Sequence, residues 1–154
     1  MSASNRTLRG FAEADLPALI DLWVAAWSET ALPFDFDARR AWLEDRLRAL
    51  RADGAMIVVG LDANEKPAGF VAIDPRGGAL DQLCVVPAER GSGLASSLLD
   101  EAKRRSPGIV ELDVNEANAR ARRFYEREGF SVVGRGVNAR SGLPTLRMRW
   151  RAEG

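Results

Sequence analysis

Leu16, Leu19, Ile20, Trp23, Val24 and Trp27 recur at i, i+3, i+4 and i+7, the spacing of one buried helical face. Pro17 is tolerated in the first turn of such a helix, and Asp15 is placed to cap it. Residues 31–36 break the rhythm, with Pro33 set among aromatics. Asp37 is placed to cap a second helix, whose Leu43, Leu47 and Leu50 share a face and which stops at Gly54. Ahead of both, residues 7–11 read as a short strand. Apolar runs over 55–61, 68–74 and 80–86 read as three more, the first two joined like a hairpin and the last introduced by a Gly77-Gly78 turn.

The pattern then changes to crossover units. A helix over 91–105 buries Leu94, Leu98, Leu99 and Ala102 and stops at Ser106-Pro107-Gly108 after a basic last turn. A strand over 109–114 follows. Ala117, Ala121, Phe124 and Tyr125 then mark one face of a helix closed by Gly129. Strands over 130–136 and 145–150 complete the chain. In the last, Leu146, Met148 and Trp150 alternate with Arg147, Arg149 and Arg151, so one face is wet. The order is βααβββαβαββ, an α/β chain of the α+β type with a mixed sheet. No repeat or linker interrupts it, and residues 1–154 read as a single domain.

Composition narrows the chemistry. Acidic and basic residues balance at 22 each, without the basic excess that nucleic-acid binding favours. Residues 1–9 lack the apolar core of a leader peptide, and no run approaches a membrane span. A lone cysteine, Cys84, cannot form an internal disulfide and fits a reducing, cytoplasmic setting. There is no histidine, which removes His-based triads and the usual zinc sites, so no metal is expected. A general base must be a carboxylate, a tyrosine or water.

The most informative stretch is Leu83-Cys84-Val85-Val86-Pro87-Ala88-Glu89-Arg90-Gly91-Ser92-Gly93-Leu94-Ala95-Ser96, a strand running through a glycine turn into a helix. Such a helix start offers unpaired N–H groups and the positive end of the dipole, which together suit a phosphate. Gly91 and Gly93 allow close backbone approach, Ala95 and Ser96 keep the first turn open, and Arg90 adds a cation. The same residues are also compatible with a plain tight turn, since short glycine motifs recur by chance. A dinucleotide fold is a third reading, with Gly91, Gly93 and Ser96 near its fingerprint and Glu111 in the ribose position. That fold opens on its motif, whereas here most of the strands come first. A Walker loop fails because no Lys-Ser/Thr follows the glycines.

Arg90-x-x-Gly93-x-Ala95 after Val-x-Pro resembles the acetyl-CoA signature of the GNAT acetyltransferases. Residues 112–130 resemble the family's second block: a strand, Asn118-Ala119-Arg120-Ala121, Phe124-Tyr125 and Gly129-Phe130 at its spacing. The resemblance spans 80–130 by motif and the remainder by element order. It implies the GNAT fold: a mixed, mostly antiparallel seven-stranded sheet flanked by four helices and splayed between the strands over 80–86 and 109–114. It also implies acetyl-CoA as co-substrate and a primary amine as acceptor, attacked directly in a ternary complex.

Carried over residue by residue, the resemblance gives Leu83, Cys84 and Val85 main-chain contacts to the pantetheine and acetyl carbonyl. Arg90, Gly91, Ser92, Gly93, Leu94, Ala95 and Ser96 take the pyrophosphate, and Asn118 makes a further cofactor contact. Tyr125 becomes the general acid for the departing thiolate. Asp113 aligns with a catalytic glutamate of the ribosomal-protein acetyltransferases and is the candidate base, with Asp81 and water as rivals. Cys84 reads as core packing rather than as a nucleophile. Trp23, Trp27 and Trp42 read as core. Phe34 in 31–36 and Arg140 in 135–142 are placed on opposite lips of an acceptor site, and the polarity of the second lip suits an acceptor with a hydrogen-bonding or acidic part. A non-catalytic acyl-CoA-binding domain is the rival function, and a toxin acting on charged tRNA is disfavoured by the neutral charge. The sequence allows a homodimer and leaves the acceptor open.

Overall fold

The computed structural model describes residues 7–30 and 32–153. The expectation of no leader peptide therefore falls largely outside the described residues, as does Ala31 of the first acceptor lip. In chain order the elements are β1 (Leu8–Gly10), α1 (Leu16–Ser28), α2 (Arg40–Ala52), β2 (Met56–Leu61), β3 (Pro67–Ile73), β4 (Leu80–Val85), α3 (Leu94–Arg105), β5 (Ile109–Asn115), α4 (Ala119–Arg127), β6 (Ser131–Val137) and β7 (Pro144–Arg151). This is the order that the hydrophobic pattern gives.

The helix starts differ from expectation. Short 3-10 turns, Glu13–Asp15 and Asp37–Arg39, precede α1 and α2; Asp15 stands at the N-cap of α1 but makes no side-chain capping bond, and Asp37 lies ahead of the α2 N-cap, Arg39. Asp15 is buried and accepts bonds from the Arg9 guanidinium and the Ala12 N–H instead. The guanidinium holds its carboxyl below the usual range. Asp37 pairs with Arg40 one turn on. The third helix begins at Leu94 rather than at Gly91, because Gly91 and Gly93 both have positive φ and Gly93 forms the N-cap. The helix ends follow expectation more closely. At α2, Gly54 N–H bonds Arg51 O and Ala55 N–H bonds Leu50 O; at α4, Gly129 and Phe130 bond Glu126 and Tyr125 in the same way. These are paired Schellman bonds. The one at α4 is accompanied by contact of the Phe130 and Tyr125 rings, centroids 5.4 Å apart.

The expected mixed sheet is two antiparallel sheets. One has the order β1-β2-β3-β4 and the other β5-β7-β6. Parallel character survives only as an isolated bridge between Ala79 and Glu111 among the described residues. There the Glu111 N–H bonds the Gly78 carbonyl at 2.9 Å, and beyond that point β4 and β5 part. The sheets pack two cores; of β4 and β5, only β4 contributes to both, whereas the buried apolar residues of β5 all enter the first. On one side Leu94, Leu98, Leu99, Val110, Leu112, Val114, Tyr125 and Phe130 bury together under α3 and α4. On the other, α1 and α2 cover Phe70, Ala72 and Cys84.

Gly78 holds the junction. Its φ is +84°, and a Cβ there would lie 2.0 Å from the Ile109 carbonyl oxygen. No side chain fits without moving the strand that carries the bridge. Gly78→Ala is expected to cost about 2 kcal/mol or more, read as a lower denaturant midpoint. A midpoint equal to wild type would show that the junction tolerates a side chain.

Candidate active site

Where β4 and β5 part, they leave a cavity of about 270 Å³. It is lined on β4 by Leu83 and Asp81, on β5 by Asp113, and on the start and inner face of α4 by Asn118 and Tyr125. Phe34 and Arg140 line it too. Six of the site residues expected from sequence and resemblance therefore meet in one space: Leu83, Asp113, Asn118, Tyr125, Phe34 and Arg140.

The ladder decides which backbone groups of β4 are available. Cys84 faces Phe70 on β3, and the Val86 N–H bonds the Ala68 carbonyl at 2.8 Å. Hydrogen-bonded pairs alternate in an antiparallel ladder, so Cys84 and Val86 direct their amides toward β3. Leu83 and Val85 direct theirs out of the sheet, into the gap. The expectation for Cys84 is corrected on this point: its main chain is engaged, while its neighbours on either side are open. A register shift opposite Ala72 and Ile73 leaves Asp81 without a cross-strand partner. Its carboxylate turns to α2 and takes both bonds of the Arg46 guanidinium.

At the head of α3 the first helical bond runs from Ser97 N–H to Gly93 O at 3.0 Å. The N–H of Leu94 takes the Ser92 hydroxyl at 3.2 Å. Those of Gly91, Gly93, Ala95 and Ser96 have no partner among the described residues, and the space beside Gly91 is open. Such a cluster of free donors at a helix start is suited to a phosphate. The Arg90 guanidinium points away, toward Glu29 at the end of α1 at 3.8 Å. The Ser96 hydroxyl is likewise committed, donating to Glu128 at 2.9 Å.

Tyr125 is buried between Phe124 and Phe130, and its hydroxyl has no hydrogen-bond partner among the described residues. Burial raises its pKa, and the neighbouring Cys84 adds to the rise. The phenol is held protonated. Asn118 is the α4 N-cap, its Oδ1 accepting from Ala121 N–H at 3.2 Å, which leaves its amide NH₂ for the cavity. Asp113 has both oxygens on Arg147, at 3.1 and 3.2 Å.

The wall expected from residues 31–36 extends further than the sequence indicated. Trp23, Trp27 and Trp42 line the cavity together with Phe36 and Arg39. The core reading holds, with Trp23 buried and Trp27 and Trp42 packed against the same cluster, but helical periodicity cannot say that part of an apolar face also borders a void. Trp23 also donates its Nε1–H to Gln82 on β4 at 3.2 Å, which ties α1 to the cavity edge.

The description of an acetyltransferase (GNAT) domain matches residues 35–152. The chain belongs to the GNAT acetyltransferases. The peptidyl-lysine N-acetyltransferase YjaB of Salmonella typhimurium is 33% identical over 117 residues, 76% of this chain and 77% of that protein. The solution structure of apo YjaB from Escherichia coli superposes with a TM-score of 0.75 at 26% identity, covering 96% of this chain and 98% of that one. The structure of YncA from Salmonella typhimurium, a putative acetyltransferase with its cofactor acetyl-CoA, gives 0.66 at 26% identity over 98% and 96%. This GNAT chain is an acetyl-CoA-dependent acyltransferase with acetyl-CoA as co-substrate. No helix among its described residues is long and apolar enough to cross a membrane.

Cys84 is the free thiol nearest this chemistry, and its environment argues against a covalent role. It is buried, its S–H faces the Leu22 carbonyl at 3.9 Å, and burial pushes the thiol up to about 12 against the pull of Arg90. Alkylation by iodoacetamide at pH 8 is expected only on unfolding, and Cys84→Ala should retain turnover. Rapid labelling of the folded protein together with an inactive alanine variant would reinstate a thiol intermediate.

Proposed function

We propose that the chain acetylates a primary amine by direct attack on acetyl-CoA, in the gap between β4 and β5. One observation carries this reading: open β4 backbone and an unpartnered, protonated Tyr125 hydroxyl face a single cavity. The outward amides of Leu83 and Val85 take the pantetheine as an added strand would, and one of their N–H groups polarises the acetyl oxygen. The free N–H groups of 91–96 take the pyrophosphate. The neutral amine nitrogen forms its bond to the acetyl carbon, the carbon–sulfur bond breaks, and Tyr125 donates its proton to the leaving sulfur. The amine proton leaves through water. Asp113 and Asp81 line the same cavity, but each has its oxygens on a guanidinium, and Asp113 can act as base only after releasing Arg147. Phe34 and Arg140 border the acceptor. The YjaB relationship makes a lysine side chain one acceptor to assay. We read the chain as cytoplasmic from its single buried, free cysteine.

Tyr125→Phe removes only the hydroxyl. It should leave CoA affinity intact and lower kcat about a hundredfold. Because burial raises the tyrosine pKa, the donor stays protonated as pH rises, so kcat should not decline near the ordinary value of about 10. Wild-type turnover in the variant would remove Tyr125 from the mechanism. The phosphate site calls for a different substitution. Gly93 has φ +92°, so replacing it would strain the turn itself. Ala95→Asp instead adds a charge that suits the helix dipole while repelling a phosphate. CoA affinity should fall at least about tenfold while the melting temperature holds. Unchanged affinity by calorimetry would move the phosphates elsewhere.

A further inference from the structure

The charged side chains lining the cavity are Arg39, Asp81, Asp113 and Arg140. Their balance is only nominal. Asp81 is matched by Arg46 and Asp113 by Arg147, neither of which lines the space. Arg39 and Arg140 have no carboxylate partner among the described residues, whereas most arginines of α2 and the two sheets are in ion pairs. Both are held by aromatic faces. The Arg39 guanidinium lies 4.5 Å from the Phe34 centroid and 5.6 Å from that of Phe36, and Arg140 lies 4.4 Å above Trp42. Trp23 joins the two platforms, with its ring 5.7 Å from Phe36 and 6.1 Å from Trp42.

The polar groups around Arg140 serve its own turn. Asn138 Oδ1 accepts from the N–H groups of Arg140 and Ser141, and the Ser141 hydroxyl from that of Leu143. The turn fixes where the arginine stands, and stacking fixes its plane without using its five donors. A guanidinium flat on an aromatic ring still presents its in-plane N–H groups to an oxyanion. The acceptor end of the cavity is therefore net cationic, with two forks of unused donors beside an apolar wall. A simple ammonium would be repelled there.

We infer that the physiological acceptor is an amine that also carries an anionic group, a carboxylate or a phosphate, which Arg39 and Arg140 bind while its apolar body lies on Trp23, Trp42 and Phe34. The inference rests on the acetyl-transfer reading above and names the acceptor class for it. The same pair of cations disfavours a second positive charge, so the amine is bound in its neutral, nucleophilic form.

The test uses matched amines: phenylalanine and phenylalaninamide, phosphoethanolamine and ethanolamine, and N-blocked Asp-Lys and Asn-Lys dipeptides. The pairs separate a free amino acid, a phosphate and an acidic neighbour of a lysine as sources of the charge. Release of CoA thiol should give a kcat/KM at least about tenfold higher for the anionic member of one pair or more. Arg39→Gln and Arg140→Gln together should abolish that preference, with CoA affinity as the control for folding. Neutral members that react as well as anionic ones in every pair, or a preference that survives the double substitution, would overturn the inference. If no amine reacts, the acetyl-transfer reading is what has failed for this panel. Charge selectivity is then read by calorimetry of the CoA complex with N-acetylphenylalanine and N-acetylphenylalaninamide. Tighter binding of the acid, lost in the double variant, supports the inference; equal or absent binding of the acid overturns it.

Discussion

The structure depends on the way β4 and β5 meet at one end and nowhere else. At Gly78 and Ala79 the two sheets approach closely enough for a backbone bond to Glu111. Past that point right-handed twist carries the strands apart, and neither has another strand to pair with on that side. Exposed strand edges are normally a liability to be covered. Here the open edge of β4 faces a cavity walled by α4 and the α1–α2 aromatics, so its free amides are available to a ligand and shielded from another chain.

Around this gap, each element holds one functional group still. The Schellman closure of α4 packs Phe130 on Tyr125 and fixes the angle at which the phenol enters the cavity. Asn118 caps the same helix from the cavity side. The bulge in β4 turns Asp81 toward Arg46, and the cross-strand register of β5 and β7 sets Asp113 opposite Arg147. Both acids of the cavity are thereby neutralised by residues outside it. Arg39 and Arg140, which lie on aromatic faces, are left to give the space its sign.

Much of this was determined by the sequence alone. Period 3.6 over 16–27 and the alternation of β7 set the element order, because burial of an apolar face is a local, periodic requirement. Two motif blocks identified the family and, by resemblance, put forward Tyr125, Asn118, Leu83 and the turn at 90–96. What they could not contain was anything set by pairing between distant segments. That Cys84 turns its amides to β3 while Leu83 and Val85 do not follows from ladder phase, which shifts with every bulge. Asp15 and Asp37 looked like caps because capping is local, yet Arg9 and Arg40 drew them away. Whether Trp23, Trp27 and Trp42 border a void, and whether Asp113 is free or matched by Arg147, depended on strands and helices far apart in the chain. Only tertiary structure decided those questions, because a charge or a ring takes its chemistry from its neighbours in space.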